Sequence, residues 1–309
     1  MNFAVRNIFA IRTMTCIGAV LSICLGHAAM AADAPAGTLD KIRSSKVLKV
    51  GVREDNLPFA GYRQGVASGY SIELCEKVAD QLRKELKLPD MRVQYVVVTA
   101  ADRLLKVKNG EADIECGTTV NTQTRAKDVD FSYAHFISGT RFMSKKSAGL
   151  NDYMQLDQQP VGIVKGTTAE KLFIQLHEGT LKSMKLVVFP RNQEAMKALE
   201  SGAVVAVAQL DILLEGMRIQ STRPDQYVIS AKPMSIEPMT LMLRKDDEAF
   251  RAVVDKTLAN LYASGDIKPI YDRWFKTDTL NMPVPLMLSE CFRRPCRSQA
   301  AALGLGYQL

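Results

Sequence analysis

Imidazoles are scarce in this sequence, with three histidines among 309 residues. His27 falls in an N-terminal stretch expected to be removed. Neither His135 nor His177 has a cysteine at ligand spacing, which argues against a metal site. There is no Ser/His/Asp constellation and no glycine-rich nucleotide fingerprint, so the usual carriers of acyl transfer and dinucleotide chemistry are missing. No basic cluster exists either. Forty Lys and Arg against thirty-three Asp and Glu give +7. The first 31 residues hold Arg6 and Arg12 and no acid, so the remainder is 38 against 33, or +5, spread along the chain. A nucleic-acid binder concentrates its charge in one patch or helix. No apolar run reaches the roughly twenty residues that span a bilayer. What is present is 47% hydrophobic and 24% charged residues, which excludes disorder and collagen-like structure and supplies one or two ordinary cores.

The N-terminus reads as an export signal over residues 1–31. Arg6 and Arg12 precede an apolar run from Met14 to Leu25, and Ala28-Ala29-Met30-Ala31-Ala32 follows, with Ala29-Met30-Ala31 as the cleavage site. A lipid anchor at Cys24 fits less well, because Ile23 stands where a small residue should precede the cysteine. Cys16 and Cys24 leave with the signal, so Cys75, Cys116, Cys291 and Cys296 remain in a compartment that permits disulfides. Cys75 falls on the three-and-four pattern of Ile72, Val78, Ala79 and Leu82, where it reads as a small core hydrophobe. Cys291 and Cys296 flank Pro295 closely enough to permit a local disulfide loop.

Strand and helix patterns alternate along the chain. Residues 47–52 (VLKVGV) predict a strand, 71–87 an amphipathic helix, 91–98 a strand, 100–109 a helix and 112–119 a strand. After Ser144-Lys145-Lys146-Ser147 the order repeats: strands at 160–164, 185–190 and 203–210, with helices at 167–178 and 192–201 between them. A strand at 240–244 and a long helix at 247–263 follow. This predicts an α/β protein of two similar lobes with largely parallel sheets, whose ligand lies in the cleft between them.

Four places combine a strand end with polar chemistry. Arg53 directly follows the first strand, although a lone loop arginine is more often a solvated charge. Residues 99–103 (TAADR) place Arg103 beside Asp102, a local pair or a solvent-facing one. In 115–125 (ECGTTVNTQTR) a buried-looking strand runs into Thr118 and Arg125, and hydroxyls beside a guanidinium fork suit a carboxylate. Thr167 and Glu170 have capping-box spacing, and the helix start at Thr167-Thr168 offers N–H donors to an anion, though most capping boxes only start helices.

These segments resemble a known family. GVREDNLPF (51–59), GYSIEL (69–74), NGEADIECGTT (109–119), R-x-K-x-V-D-F-S (125–132), KGTTAE (165–170), ALESG (198–202), LRKDDEAF (243–250) and YDRWF (271–275) are similar, in order, to the amino-acid-binding proteins of ABC importers, solute-binding family 3. The resemblance implies a type II periplasmic-binding-protein fold with lobe one at 37–140 plus 241–309 and lobe two at 142–237. Two strands near 139–144 and 237–243 would cross between them. It implies a periplasmic, non-enzymatic monomer that needs no cofactor, binds a small amino acid or dicarboxylate and delivers it to a membrane permease. Arg125, helped by Thr118, matches the family's grip on the ligand α-carboxylate, and Arg53 and Arg103 match the side-chain carboxylate arginines of the dicarboxylate branch, favouring an acidic ligand.

The sequence departs from that branch at several positions. Val120 and Ala100 lack expected hydroxyls, and Asn192 replaces a histidine. The Asp that binds the ligand ammonium falls on Leu210, with Asp211 one residue later. Either a bulge carries Asp211 into the cleft or the ammonium contact is gone. The runner-up function is an exported dehydratase on the same scaffold, with Glu115 and Asp211 as its acid candidates, and a ligand-sensing receptor partner shares the fold.

Overall fold

A computed structural model describes residues 37–297. The expected signal segment with its expected cleavage site, and the chain's last residues, lie outside that range. The first half opens with α1 (Thr38–Ser45) and β1 (Val47–Val52) and passes through a small meander, β2 (Asp55–Asn56), β3 (Ala60–Arg63) and β4 (Val66–Ser68). It then enters α2 (Tyr70–Leu86), β5 (Arg92–Val97), α3 (Arg103–Lys108), β6 (Ile114–Val120) and β7 (Val129–Ser138). The second half comprises β8 (Thr140–Lys145), β9 (Pro160–Val164), α4 (Thr168–Glu178), β10 (Lys185–Phe189), α5 (Asn192–Ser201), β11 (Ala206–Leu210), α6 (Asp211–Gln220) and β12 (Tyr227–Ile229). The chain returns to the first half as β13 (Glu237–Arg244), α7 (Glu248–Ser264), α8 (Ile267–Phe275) and α9 (Leu286–Arg293).

Two five-stranded sheets result, ordered β5-β1-β6-β13-β7 and β10-β9-β11-β8-β12. In each, one central strand runs parallel to both neighbours: β1 pairs with β5 and β6, and β9 with β10 and β11. The crossing strands enter antiparallel, β13 between β6 and β7, and β8 between β11 and β12. The two crossing segments touch, with the Thr140 N–H on Ser235 Oγ at 2.9 Å and the Met234 N–H on the Thr140 carbonyl at 2.8 Å.

Local chemistry explains the elements. The α2 residues Ile72, Cys75, Val78, Ala79 and Leu82 are all buried, as their spacing requires. Asp247 caps α7 by accepting the Phe250 N–H. The α3 helix starts three residues later than its sequence pattern predicts. Thr99 N–H bonds Asp102 Oδ1 and Asp102 N–H bonds Thr99 Oγ1, a reciprocal turn that competes with helix.

The cysteine reading needs a correction. Cys75 is buried as expected, yet it forms a disulfide with Cys116, joining α2 to β6. The helical spacing that marked Cys75 as core could not show that its neighbour across the packing interface is the thiol of Cys116. Cys291 and Cys296 are also paired, and the Cys296 carbonyl accepts the Ala134 N–H of β7, tying the C-terminal loop to the first sheet.

Candidate functional site

Three guanidinium groups from three elements of the first half converge on the seam between the halves. Arg53, at the end of β1, is 3% exposed and donates through Nη2 to Asp55 Oδ1 at 3.2 Å. The other Asp55 oxygen accepts the Asn192 N–H of α5 at 2.7 Å, across the seam. Arg103, which opens α3, donates through Nε to Thr119 Oγ1 at 2.7 Å, through Nη1 to the Ala100 carbonyl and through Nη2 to the Gly166 carbonyl at 3.3 Å. Arg125, in the short turn after β6, donates to the Val120 carbonyl and to the same Gly166 carbonyl, each at 3.0 Å. One carbonyl of the second half thus receives two guanidinium groups of the first. Gly166 can only be glycine here: its φ is +80°, and a Cβ would lie 2.4 Å from the Ala100 carbonyl oxygen.

Burial sets the electrostatics. It pushes the Arg103 pKa well below the ordinary guanidinium range, with the neighbouring Arg125 charge acting in the same direction. Arg125 is lowered by burial too, against the pull of Glu237 and Glu115. Two acids share the space. Glu237 has 1% exposure and accepts hydroxyl donors from Thr140 at 2.5 Å, from Ser235 and from Thr168. Glu115 has no exposed surface, and burial raises its carboxyl above the ordinary range although Arg103 opposes that. Glu115 and Glu237 thus supply negative charge beside Arg103 and Arg125.

The remaining predicted residues fall around this cluster. Thr118 Oγ1 accepts from Asn56 Nδ2 at 2.7 Å, Asn56 Oδ1 accepts from Asn192 Nδ2 at 3.3 Å, and Asn192 Oδ1 accepts from Gln209 Nε2 at 2.9 Å. An amide chain therefore runs from β6 to β11 across the seam. Thr167 caps α4, accepting the Glu170 N–H at 3.0 Å and donating to the Val164 carbonyl at 2.7 Å. The capping box is only half formed, because the Glu170 carboxylate takes the Gly166 N–H at 2.6 Å instead of that of Thr167.

No bulge carries Asp211 inward. The pairing of β11 with β8 is regular through Leu210 and Thr140, and Leu210 is buried in the first half's core cluster. Asp211 begins α6, with its carboxylate accepting the Ser138 hydroxyl at 2.5 Å and the Ile212 N–H at 2.7 Å, and with Arg141 Nε at 3.4 Å. Sequence reasoning missed Gln209 and Glu237 altogether, and touched Asn56 and Thr119 only as neighbours of Arg53 and Thr118. It noted Glu115 only as a candidate acid, although an acid between Ile114 and Cys116 in a predicted strand was a readable signal of a buried charge.

Comparison with known proteins agrees with this architecture. The model of the bacterial extracellular solute-binding proteins, family 3, matches residues 48–277. The chain is 38% identical to the L-glutamate/L-aspartate-binding protein of Pseudomonas aeruginosa over 276 residues, covering 87% of this chain and 91% of that one. It is 36% identical to the glutamate/aspartate import solute-binding protein of Escherichia coli over 86% of each chain. Among solved structures, a cysteine-binding protein from Campylobacter jejuni superposes with a TM-score of 0.72 at 23% identity, over 81% of this chain and 97% of that one, a likeness of fold alone. With the family model spanning both halves and these relatives covering most of their length, the chain belongs to the bacterial extracellular solute-binding proteins of family 3.

Proposed function

We propose that this chain is the periplasmic solute-binding component of an ABC importer and that it captures an acidic amino acid or a related dicarboxylate. The observation that carries the reading is the convergence of Arg53, Arg103 and Arg125, all largely withdrawn from water, at one seam. Two of them donate to the Gly166 carbonyl, a neutral acceptor that a carboxylate outcompetes for guanidinium hydrogen bonds. In this reading Arg125 and Thr118 hold one carboxylate and Arg53 and Arg103 the other. Thr167, Thr168 and Asn192 present the second half's face of the site. The relatives named for glutamate and aspartate support the same ligand class.

Closure would proceed about the crossing segments near 139–144 and 237–243, with lobe one at 37–140 plus 241–309 and lobe two at 142–237. A closed protein presents one fixed surface to a permease. One observation favours a second reading of the ligand. Leu210 is apolar and Asp211 is already engaged by Ser138, Arg141 and Ile212, so neither offers a free carboxylate to an ammonium group. An amine-free dicarboxylate needs no such partner.

Competitive calorimetry with L-glutamate, L-glutamine and succinate tests both. L-glutamate is expected to bind at least about a hundredfold tighter than L-glutamine, about 2.7 kcal/mol. Equal affinity for the two refutes the dicarboxylate site. Succinate binding as tightly as L-glutamate selects the amine-free reading. Substitution of Arg125 by Ala is expected to abolish binding and Lys to restore little, since Lys lacks the two-pronged geometry.

A further inference from the structure

Glu115 stands apart from the other acids of the cluster. Its Oε2 accepts the Thr119 hydroxyl at 2.7 Å, and Thr119 in turn accepts Arg103 Nε at 2.7 Å. Its Oε1 is buried without a hydrogen-bond partner, and so is Nε of Arg53. An orphaned carboxylate oxygen in the interior is costly, and it becomes useful only when something completes it.

The charges around Glu115 come from every neighbouring element: Arg103 and Asp102 at the start of α3, Arg53 and Asp55 after β1, and Arg125 after β6, which Glu237 of β13 faces. Asp102 also pairs with Lys106. Ionised, the three guanidinium groups are balanced by Asp55, Glu115 and Glu237 before any ligand arrives. L-glutamate brings a net charge of −1 and two carboxylates into this neutral cluster. One proton restores the balance. On Glu115 Oε1 it would also turn an orphaned acceptor into a donor that a ligand carboxylate can accept.

Resting on the dicarboxylate reading above, we propose that Glu115 takes up a proton as an acidic amino acid is captured, so that affinity rises as pH falls. Burial already holds this carboxyl above its ordinary range, and an added anion acts in the same direction. Of the described histidines, His135 is pushed down to about 3 and does not titrate near neutrality, and His177 lies in the last turn of α4, at the far end from Gly166.

Calorimetric titration of the wild-type protein with L-glutamate, from about pH 5.5 to about pH 8 in paired buffers of unlike ionisation heat, is the test. The expected result is proton uptake on binding and a Kd that falls by up to about tenfold per pH unit as the pH is lowered. Glu115→Gln imitates the protonated acid and is expected to bind L-glutamate with no pH slope. Infrared difference spectra of the wild type, with and without L-glutamate, are expected to gain the C=O stretch of a protonated carboxyl, a readout independent of how the variant folds. Binding that persists with a flat pH profile and no new carboxyl band overturns the proton uptake and leaves the dicarboxylate site standing. A slope retained in Glu115→Gln overturns it as well. No binding of L-glutamate or succinate at any pH overturns the reading on which it rests.

Discussion

Removing the Cys75–Cys116 bridge, by the double substitution of both residues with Ala, is expected to cost far more stability than removing Cys291–Cys296. The first closes a separation of 41 residues and the second one of 5. In the chain-entropy account of cross-links, these lengths correspond to about 4 kcal/mol and about 2 kcal/mol at 25 °C. For a chain of this size each kcal/mol moves the melting temperature by roughly 2–4 °C, so the first loss amounts to roughly 8–16 °C. The effect on binding is also expected to differ. Cys116 lies in β6 between Glu115 and Gly117, on the strand that carries Thr118 and Thr119, and the bridge anchors this strand to α2. The C-terminal bridge packs against Ala134 and Ile137 on β7. Calorimetric melting of both double variants, followed by titration with L-glutamate, provides the check. Equal melting shifts for the two variants would refute the loop-length argument, and unaltered affinity after loss of Cys75–Cys116 would refute the claim that it positions the site.

Arg103→Met keeps much of the side chain's length but removes its contacts to Thr119, Ala100 and Gly166, and L-glutamate affinity is expected to fall at least about a hundredfold while L-glutamine affinity changes little; competition titration measures both. Gly216 of α6 lies against the first half, where an added Cβ would sit 2.5 Å from the Leu57 carbonyl oxygen, so Gly216→Val is expected to obstruct closure. Small-angle scattering then gives the same radius of gyration with and without L-glutamate, and a wild-type-like contraction counts against the steric argument. Burial holds His135 down to about 3, so the fold favours its neutral form. The resulting stability is fully present above the unfolded pKa of about 6.5 and drains away as pH falls towards 3, with about 2 kcal/mol gone by about pH 5. Denaturation of His135→Gln at about pH 7.5 and about pH 5 is expected to show less of that acid loss than the wild type, and an equal loss in both proteins assigns it to other groups.

Much of this architecture was legible because periodicity is a local property. The β9, α5 and α7 segments lie where their apolar spacing places them, and the order of strands and helices carried the α/β class. The short α3 was misjudged at its start because the Thr99 and Asp102 side chains compete with the helix, a contest that apolar spacing does not record. The three arginines could be named one by one, whereas the meeting of Arg103 and Arg125 at the Gly166 carbonyl depends on a residue 63 and 41 positions away along the chain. Glu237 was invisible for the same reason. Its partners Thr140 and Thr168 come from the far side of the crossing, and nothing within the motif SIEPM announces them.

The place of β13 in the first sheet bears on how the chain reaches this form. Strands β6 and β7 are consecutive in sequence, yet β13 lies between them, arriving more than a hundred residues after β6 ends. The second sheet draws all five strands from one continuous stretch, β8 to β12. A chain emerging from its N-terminus therefore makes β1, β5, β6 and β7 first but cannot join the last two until residues 237–244 are free. Until then the inner edge of β6, with the arginine neighbours Glu115 and Thr119, stays open to solvent or to a wrong partner. The later-made half can complete itself first, and its completion brings β13 back to the gap. Assembly of the ligand site is thus among the final events of folding, since closing long loops is slow relative to forming local structure.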